Sequence, residues 1–205
     1  MGREGSLRII AGTLKGRRLA APSWTGLRPT SDKLRETLFN VLAPRIAGAR
    51  VLDGYAGTGA VGIEALSRGA RSVTFVDSDR RAQALIAQNL AHCGLDDGYA
   101  IIRASVERAF DARGARHTGG EFDIVFLDPP YALEDDRIAA VLAQAGAILA
   151  DEGIVVLEHA RKRTVPDADA LAPTRVITSG DSALTMFERT GRNPGATRPN
   201  AEGGG

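Results

Sequence analysis

A carboxylate, two prolines and an aromatic ring, Asp128-Pro129-Pro130-Tyr131, follow directly on the apolar run from Phe122 to Leu127. Prolines can neither continue a central strand nor enter a helix interior, so the backbone leaves the sheet there in a fixed direction. A planar amino group has two N–H bonds to give. The Asp128 carboxylate and the Pro129 carbonyl can accept one each, and the Tyr131 ring can cover the flat face of the group that carries the amine.

A second constellation lies upstream. In Asp53-Gly54-Tyr55-Ala56-Gly57-Thr58-Gly59-Ala60-Val61-Gly62 the glycines permit a tight turn and a close ligand approach. Gly57, Gly59 and Gly62 spell G-x-G-x-x-G, and Asp77 stands about twenty residues on, as in a dinucleotide fingerprint. Two details favour S-adenosylmethionine over NAD. Asp53 would repel a pyrophosphate but attract the cationic amine of a methionine moiety. The tetrapeptide, moreover, offers nothing for hydride transfer. Asp77 can accept hydrogen bonds from ribose hydroxyls under either reading. A glycine turn that binds nothing is the bland alternative.

The elements that position these residues alternate between strand and helix. Strands are expected at 50–53, 72–77, 100–103, 122–127 and 153–158. Helices are expected at 60–68, 79–92, 106–112 and 135–149, with Gly94 as a stop signal. This order predicts an α/β fold with a parallel, doubly wound sheet. Residues 175–178 and 183–188 flank Ser179-Gly180-Asp181-Ser182 and read as an antiparallel hairpin that closes the sheet. Before the first strand, 7–11 and 17–21 read as a small hairpin. Thr30 or Ser31 can cap a following helix with Leu34, Leu38, Val41 and Leu42 on one face. The chain therefore divides into a basic hairpin and helix (1–45), a ligand-binding domain (46–190) and a polar, Gly/Pro-rich tail expected to be disordered (191–205).

Residues 1–50 hold ten Lys/Arg against three Asp/Glu, a net of +7, which leaves −6 for the remainder. A basic segment on a mildly acidic body suggests a polyanion docked at one end. Arg8, Arg17, Arg18, Arg28, Lys33 and Arg35 are the candidate phosphate contacts. Singly each reads as a solvated surface charge, and as a group they favour RNA. One cysteine, Cys93, and three histidines make a built-in zinc site improbable and exclude an internal disulfide. No apolar run reaches the roughly 20 residues that span a bilayer, and no secretory signal is visible, so a cytoplasmic protein is expected.

Asp53–Gly59, Asp77 and Asp128–Tyr131 resemble the motifs of amino-group methyltransferases. The blocks Leu7–Leu19 and Arg28–Leu42 resemble one family among them, the RsmD-type 16S ribosomal RNA (guanine-N2)-methyltransferases. The resemblance runs from about Leu7 to Arg189. It implies a Rossmann-like class I fold with a seven-stranded sheet, a small N-terminal extension and S-adenosylmethionine as methyl donor with no metal. It further implies a guanine of 16S ribosomal RNA as acceptor, possibly inside a partly assembled 30S subunit, and a monomer. Asp128, Pro129 and Tyr131 are then catalytic. Asp53, Tyr55, Gly57, Gly59, Asp77, Ser105 and Thr30 then face the cofactor, with Ser105 standing where related enzymes often carry Asp or Asn. Ser179 departs from the aromatic residue expected before Gly180. The tetrapeptide is shared with adenine-N6 methyltransferases of DNA or RNA, and a noncatalytic RNA-binding module is the further alternative.

Overall fold

The structure, a computed structural model, describes residues 7–22, 24, 31–110 and 122–190. It bears out the α/β reading. β1 (Arg50–Gly54), β2 (Ser72–Asp77), β3 (Tyr99–Arg103), β4 (Phe122–Leu127), β5 (Leu149–Ala160), β6 (Leu171–Ser179) and β7 (Ser182–Arg189) form one sheet in the order β3-β2-β1-β4-β5-β7-β6. The first five strands are parallel, and β7 runs antiparallel to both β5 and β6. The helices are α1 (Asp32–Ile46), α2 (Ala60–Ser67), α3 (Arg80–Cys93), α4 (Val106–Phe110) and α5 (Asp135–Ile148). Local chemistry sets their ends. The Ser31 hydroxyl accepts the Leu34 N–H, the Asp79 carboxylate accepts that of Arg81, and Gly94 closes α3 at φ +72.

β5 begins earlier than the apolar run suggests, because Leu149 already pairs with Phe122 before the register shifts to Ile154 and Ile124. Alternation along each strand supplies two cores. Val51, Phe75, Ile124 and Val156 face α1, α2 and α3, while Leu52, Val76, Val125 and Val155 face α4 and α5. Leu7, Ile9 and Leu19 of the N-terminal arm join the first of these.

The expected hairpin at 7–21 is present but short: Arg8 bridges Arg18, the Ile9 and Leu19 N–H groups donate to the Arg17 and Leu7 carbonyls at 2.9 and 2.8 Å, and the Gly16 N–H donates to the Ile9 carbonyl at 2.9 Å. Its outward-facing donors turn to the helices instead. The Ile10 and Ala11 N–H groups go to the Glu64 carboxylate at 2.7 and 3.0 Å, and the Ala20 N–H goes to Asn89 Oδ1 at 2.7 Å. Ser67 adds its hydroxyl, which accepts from Leu14 N and donates to the Ala11 carbonyl. The arm is thus lashed to α2 and α3 as well as to itself. Gly12, at φ +84, makes the contact possible, since a Cβ there would lie 1.9 Å from the Ser67 carbonyl oxygen. Among the described residues, no helix is long and apolar enough to cross a membrane.

Candidate active site

The two constellations singled out in the sequence meet at the carboxyl edge of the sheet. β1 and β4 are neighbours, and the Asp128 N–H donates to the Gly54 carbonyl at 3.3 Å, one step beyond the last ladder pair. The tetrapeptide therefore leaves the sheet directly beside the glycine loop. Asp53, Asp77, Asp128 and Glu158 each lie two residues after a strand residue of the first core. Strand periodicity turns all four carboxylates to that face. Leu127 pairs with Leu157, so the next residues in register, Asp128 and Glu158, are neighbours. Glu158 is only 5% exposed. Burial, then the like charges of Glu158 and Asp53, hold the Asp128 carboxyl well above the usual carboxylate range. Asp53 is buried and pushed up to about 8, chiefly by desolvation, although the Gly62 N–H it accepts at 2.9 Å pulls the other way.

The loop is built around its own carboxylates. Asp77 Oδ2 accepts the Gly57 N–H at 2.9 Å and Oδ1 that of Asp79 at 2.8 Å. Gly59 N–H goes to the Ala56 carbonyl, Ala60 N–H to Thr58 Oγ1 and Ile63 N–H to the Gly59 carbonyl. Most of the amides that a pyrophosphate would need at this helix N-terminus, those of Gly57, Gly59, Ala60 and Gly62 among them, are already committed within the chain. Gly57 and Gly59 sit at φ +55 and +74, and a Cβ on Gly59 would press on Ile86 at 3.2 Å. Tyr55 also takes a left-handed conformation, φ +61, which side chains rarely adopt. Its ring packs on the α4–α5 side, and its buried hydroxyl has no hydrogen-bond partner among the described residues. Burial, and secondarily Glu107, pushes that hydroxyl up to about 12. Ser105 opens α4, its hydroxyl accepting the Arg108 N–H at 3.4 Å.

Pro129 is buried and Pro130 exposed. Tyr131 is 41% exposed, with its hydroxyl on Ser182. A shallow depression lined by Pro44, Ala49, Asp123 and Glu152 lies at the opposite, amino-terminal ends of β1 and β4 and contains none of these groups.

The cationic candidates separate. Arg17, Arg18 and Lys33 are exposed, and Arg8 is 64% exposed with Asp32 3.5 Å away. Arg35 is a correction, because its side chain is 0% exposed and unavailable to a phosphate. It donates to the Arg8 carbonyl and to Asp32 Oδ1 at 3.0 Å and lies 4.0 Å from Glu64. Arg28 and Thr30 lie outside the described residues, as does the tail 191–205. Trp24 packs its ring 4.9 Å from the Arg81 guanidinium.

Sequence reasoning missed Glu64, Ser67 and Asn89. Asn89 joins the arm to the glycine loop, since its amide donates to the Ala20 and Thr58 carbonyls while its oxygen accepts from Ala20. The available signal was polar residues on the inward faces of apolar helices.

A family model described as conserved hypothetical protein 95 matches residues 7–188. Ribosomal RNA small subunit methyltransferase D of Escherichia coli strain K12 is 38% identical over 189 residues, covering 91% of each chain. The chain belongs to this family. Another member of similar length, a putative ribosomal RNA methyltransferase, YlbH, of Bacillus subtilis strain 168, is 38% identical over 186 residues, covering 90% of this chain and all of that one. The solved structure of a putative methyltransferase, yhhF, from Escherichia coli superimposes with a TM-score of 0.75 at 34% identity, over 90% of this chain and 98% of that one. The resemblance carried by the tetrapeptide, the glycine loop and the N-terminal blocks is borne out, and the fold is the class I methyltransferase fold.

Proposed function

We propose that the protein methylates the exocyclic N2 of a guanine in 16S ribosomal RNA, with S-adenosylmethionine as donor. One observation carries the reading: Asp128-Pro129-Pro130-Tyr131 emerges hydrogen-bonded to the strand that ends in the glycine loop. An amine clamp and a cofactor cradle are thereby adjacent.

The residues present fit S-adenosylmethionine better than a dinucleotide. Most of the loop amides are taken by Asp77, Asp53 and neighbouring oxygens, so the cradle presents carboxylates more than an anion hole. Asp77 keeps lone pairs for two ribose hydroxyls, and Asp53 suits a cationic amine. Gly57 and Gly59 allow the left-handed turns that shape the loop, and Ser105 borders the adenine end. Tyr55, on the α4–α5 side, is assigned to the cofactor generally and Thr30 to its methionine end. When bound, S-adenosylmethionine supplies an electrophilic methyl on a sulfonium.

The chain's own residues do the rest. The lone pair of an aryl amine is delocalised into its ring and is poorly nucleophilic. Asp128 and the Pro129 carbonyl each accept one N–H, which favours a pyramidal nitrogen and aims its lone pair. Positive charge grows on that nitrogen during transfer. Asp128, held high by burial and by Glu158, gains most from a cation beside it, so its interaction is stronger in the transition state than before it. The amine proton is lost after transfer, because the alkylated cation is strongly acidic, so no poised general base is needed. Tyr131 stacks on the base, which must be unpaired or flipped out to enter. Arg8, Arg17, Arg18 and Lys33 provide the phosphate-facing charge, with Arg28 beside them in sequence. The substrate is 16S ribosomal RNA, free or within a partly assembled 30S subunit.

The test is incubation with labelled S-adenosylmethionine and undermethylated 16S RNA or 30S subunits. Label in N2-methylguanine supports the reading, and label in N6-methyladenine supports the adenine alternative.

A further inference from the structure

Tyr131 is the exposed end of the tetrapeptide, yet its ring is tied down. Its Oη lies 2.7 Å from Ser182 Oγ, 51 residues away in sequence. Ser182 is buried at the start of β7. The turn before it is fixed in its own right, with Gly180 at φ +58 and the Asp181 carbonyl accepting the Arg161 N–H at 2.7 Å. The backbone of the same loop is held separately. Arg163 Nη2 donates to the carbonyls of Tyr131 at 3.0 Å and Leu133 at 2.7 Å, while its Nε faces Asp135 Oδ1 at 3.5 Å. The Leu133 N–H closes the turn on the Pro130 carbonyl at 2.8 Å.

One tyrosine is thus gripped at its hydroxyl tip and at its carbonyl. Both grips come from segments after the catalytic half of the sheet, the β5–β6 connection and the β6–β7 turn. An exposed aromatic ring ordinarily samples several rotamers, and a base stacking on it must freeze them. Here polar anchors set the ring while 41% of the residue stays exposed to solvent.

We infer that Ser182 and Arg163 are positioning residues that hold the Tyr131 ring as a preset platform for the acceptor base. The inference deepens the proposed methyl transfer and rests on that reading of the site. Neither residue touches the amine. Their effect is on capture of the base, so it belongs in the KM for RNA and not in cofactor affinity. Ser182→Ala and Tyr131→Phe remove the same hydrogen bond and should each raise that KM about 5-fold, the scale of one such bond. The double variant should be no worse than either single one. Ser182→Thr, which keeps the hydroxyl, should restore the wild-type value. Arg163→Lys, which keeps the charge but loses the planar fork, should also raise KM.

The decisive experiment combines these kinetics with fluorine NMR of protein carrying 3-fluorotyrosine at its three tyrosines. The Tyr131 resonance, assigned through Tyr131→Phe, should collapse toward a solvent-averaged shift in Ser182→Ala, while the melting temperature stays within a few degrees. An unmoved resonance overturns the inference even if no RNA is ever methylated. Losses that multiply in the double variant, or a higher kcat in Ser182→Ala, overturn it as well. Wild-type protein that methylates no ribosomal RNA defeats the proposed function. Active wild-type protein with a silent Ser182→Ala defeats only the positioning role.

Discussion

Replacing Glu64 by glutamine should loosen the N-terminal arm and cost about 3 kcal/mol of stability. The magnitude follows from what the carboxylate holds. It is 0% exposed, accepts from Ile10 N, Ala11 N and Arg68 Nε at 2.7, 3.0 and 2.8 Å, and lies 4.0 Å from the buried Arg35 Nε. Glutamine keeps the shape but loses the charge and turns an NH2 toward donors. Removing one member of a buried pair typically costs about 3–5 kcal/mol, because the surviving charge is stranded. Asp32, 3.0 Å from Arg35 Nη2 but half-exposed, offsets part of that and sets the expectation at the low end. Burial already pushes the Arg35 guanidinium down, so it tolerates the loss of an acid poorly. Urea unfolding gives the stability change, and hydrogen exchange at the Ile10 and Ala11 amides reports the arm itself. Arg35→Met combined with Glu64→Gln should cost less than the sum of the two. A Glu64→Gln protein within about 0.5 kcal/mol of wild type, with Ile10 still protected, would refute the lashing of the arm to α2.

Asp53 makes stability depend on pH in a defined sense. Its carboxyl rises from 3.8 to about 8 in the folded chain, so its contribution is fully present below pH 3.8 and is lost as pH rises through 8. Asp53→Asn, which can still accept the Gly62 N–H, should therefore exceed wild type in stability by a few kcal/mol at pH 9. That excess should fade toward pH 4 in urea titrations, and a constant difference would contradict the assignment. Gly62→Ala should destabilise by about 3 kcal/mol, since the new Cβ would stand 2.2 Å from Phe75 Cε1, and a neutral melting temperature would refute it. Charge reversal at Arg17 and Arg18 should lower the salt slope of 16S RNA binding by about one to two, whereas the same change at the buried Arg35 should act through unfolding instead.

The alternating core was legible because each strand and helix announces itself locally. The run Phe122–Leu127, the cap at Ser31 and the stop at Gly94 need no distant partner to be read. The two site motifs were legible for the same reason, and their adjacency followed once β1 and β4 were neighbours. What stayed hidden depends on partners far apart in sequence. Arg35 looked like a phosphate contact because charge counting treats every arginine as solvated, and nothing near it in sequence points to Glu64. The hairpin at 7–21 was legible as such, but its anchorage was not: Glu64 and Asn89 take the Ile10, Ala11 and Ala20 donors from 53 or more residues away in sequence. Tyr131 read as an open ring, and only the placement of β7 beside β5 brings Ser182 to its hydroxyl.

The most direct measurement is the modified-nucleoside content of undermethylated 30S subunits or 16S RNA after incubation with labelled S-adenosylmethionine and either the wild-type protein or Asp128→Ala. The account predicts N2-methylguanine at one position with wild type and none with Asp128→Ala, while cofactor affinity by calorimetry is equal in the two proteins. No N2-methylguanine with any such substrate, or an Asp128→Ala protein that methylates at the wild-type rate, would contradict it.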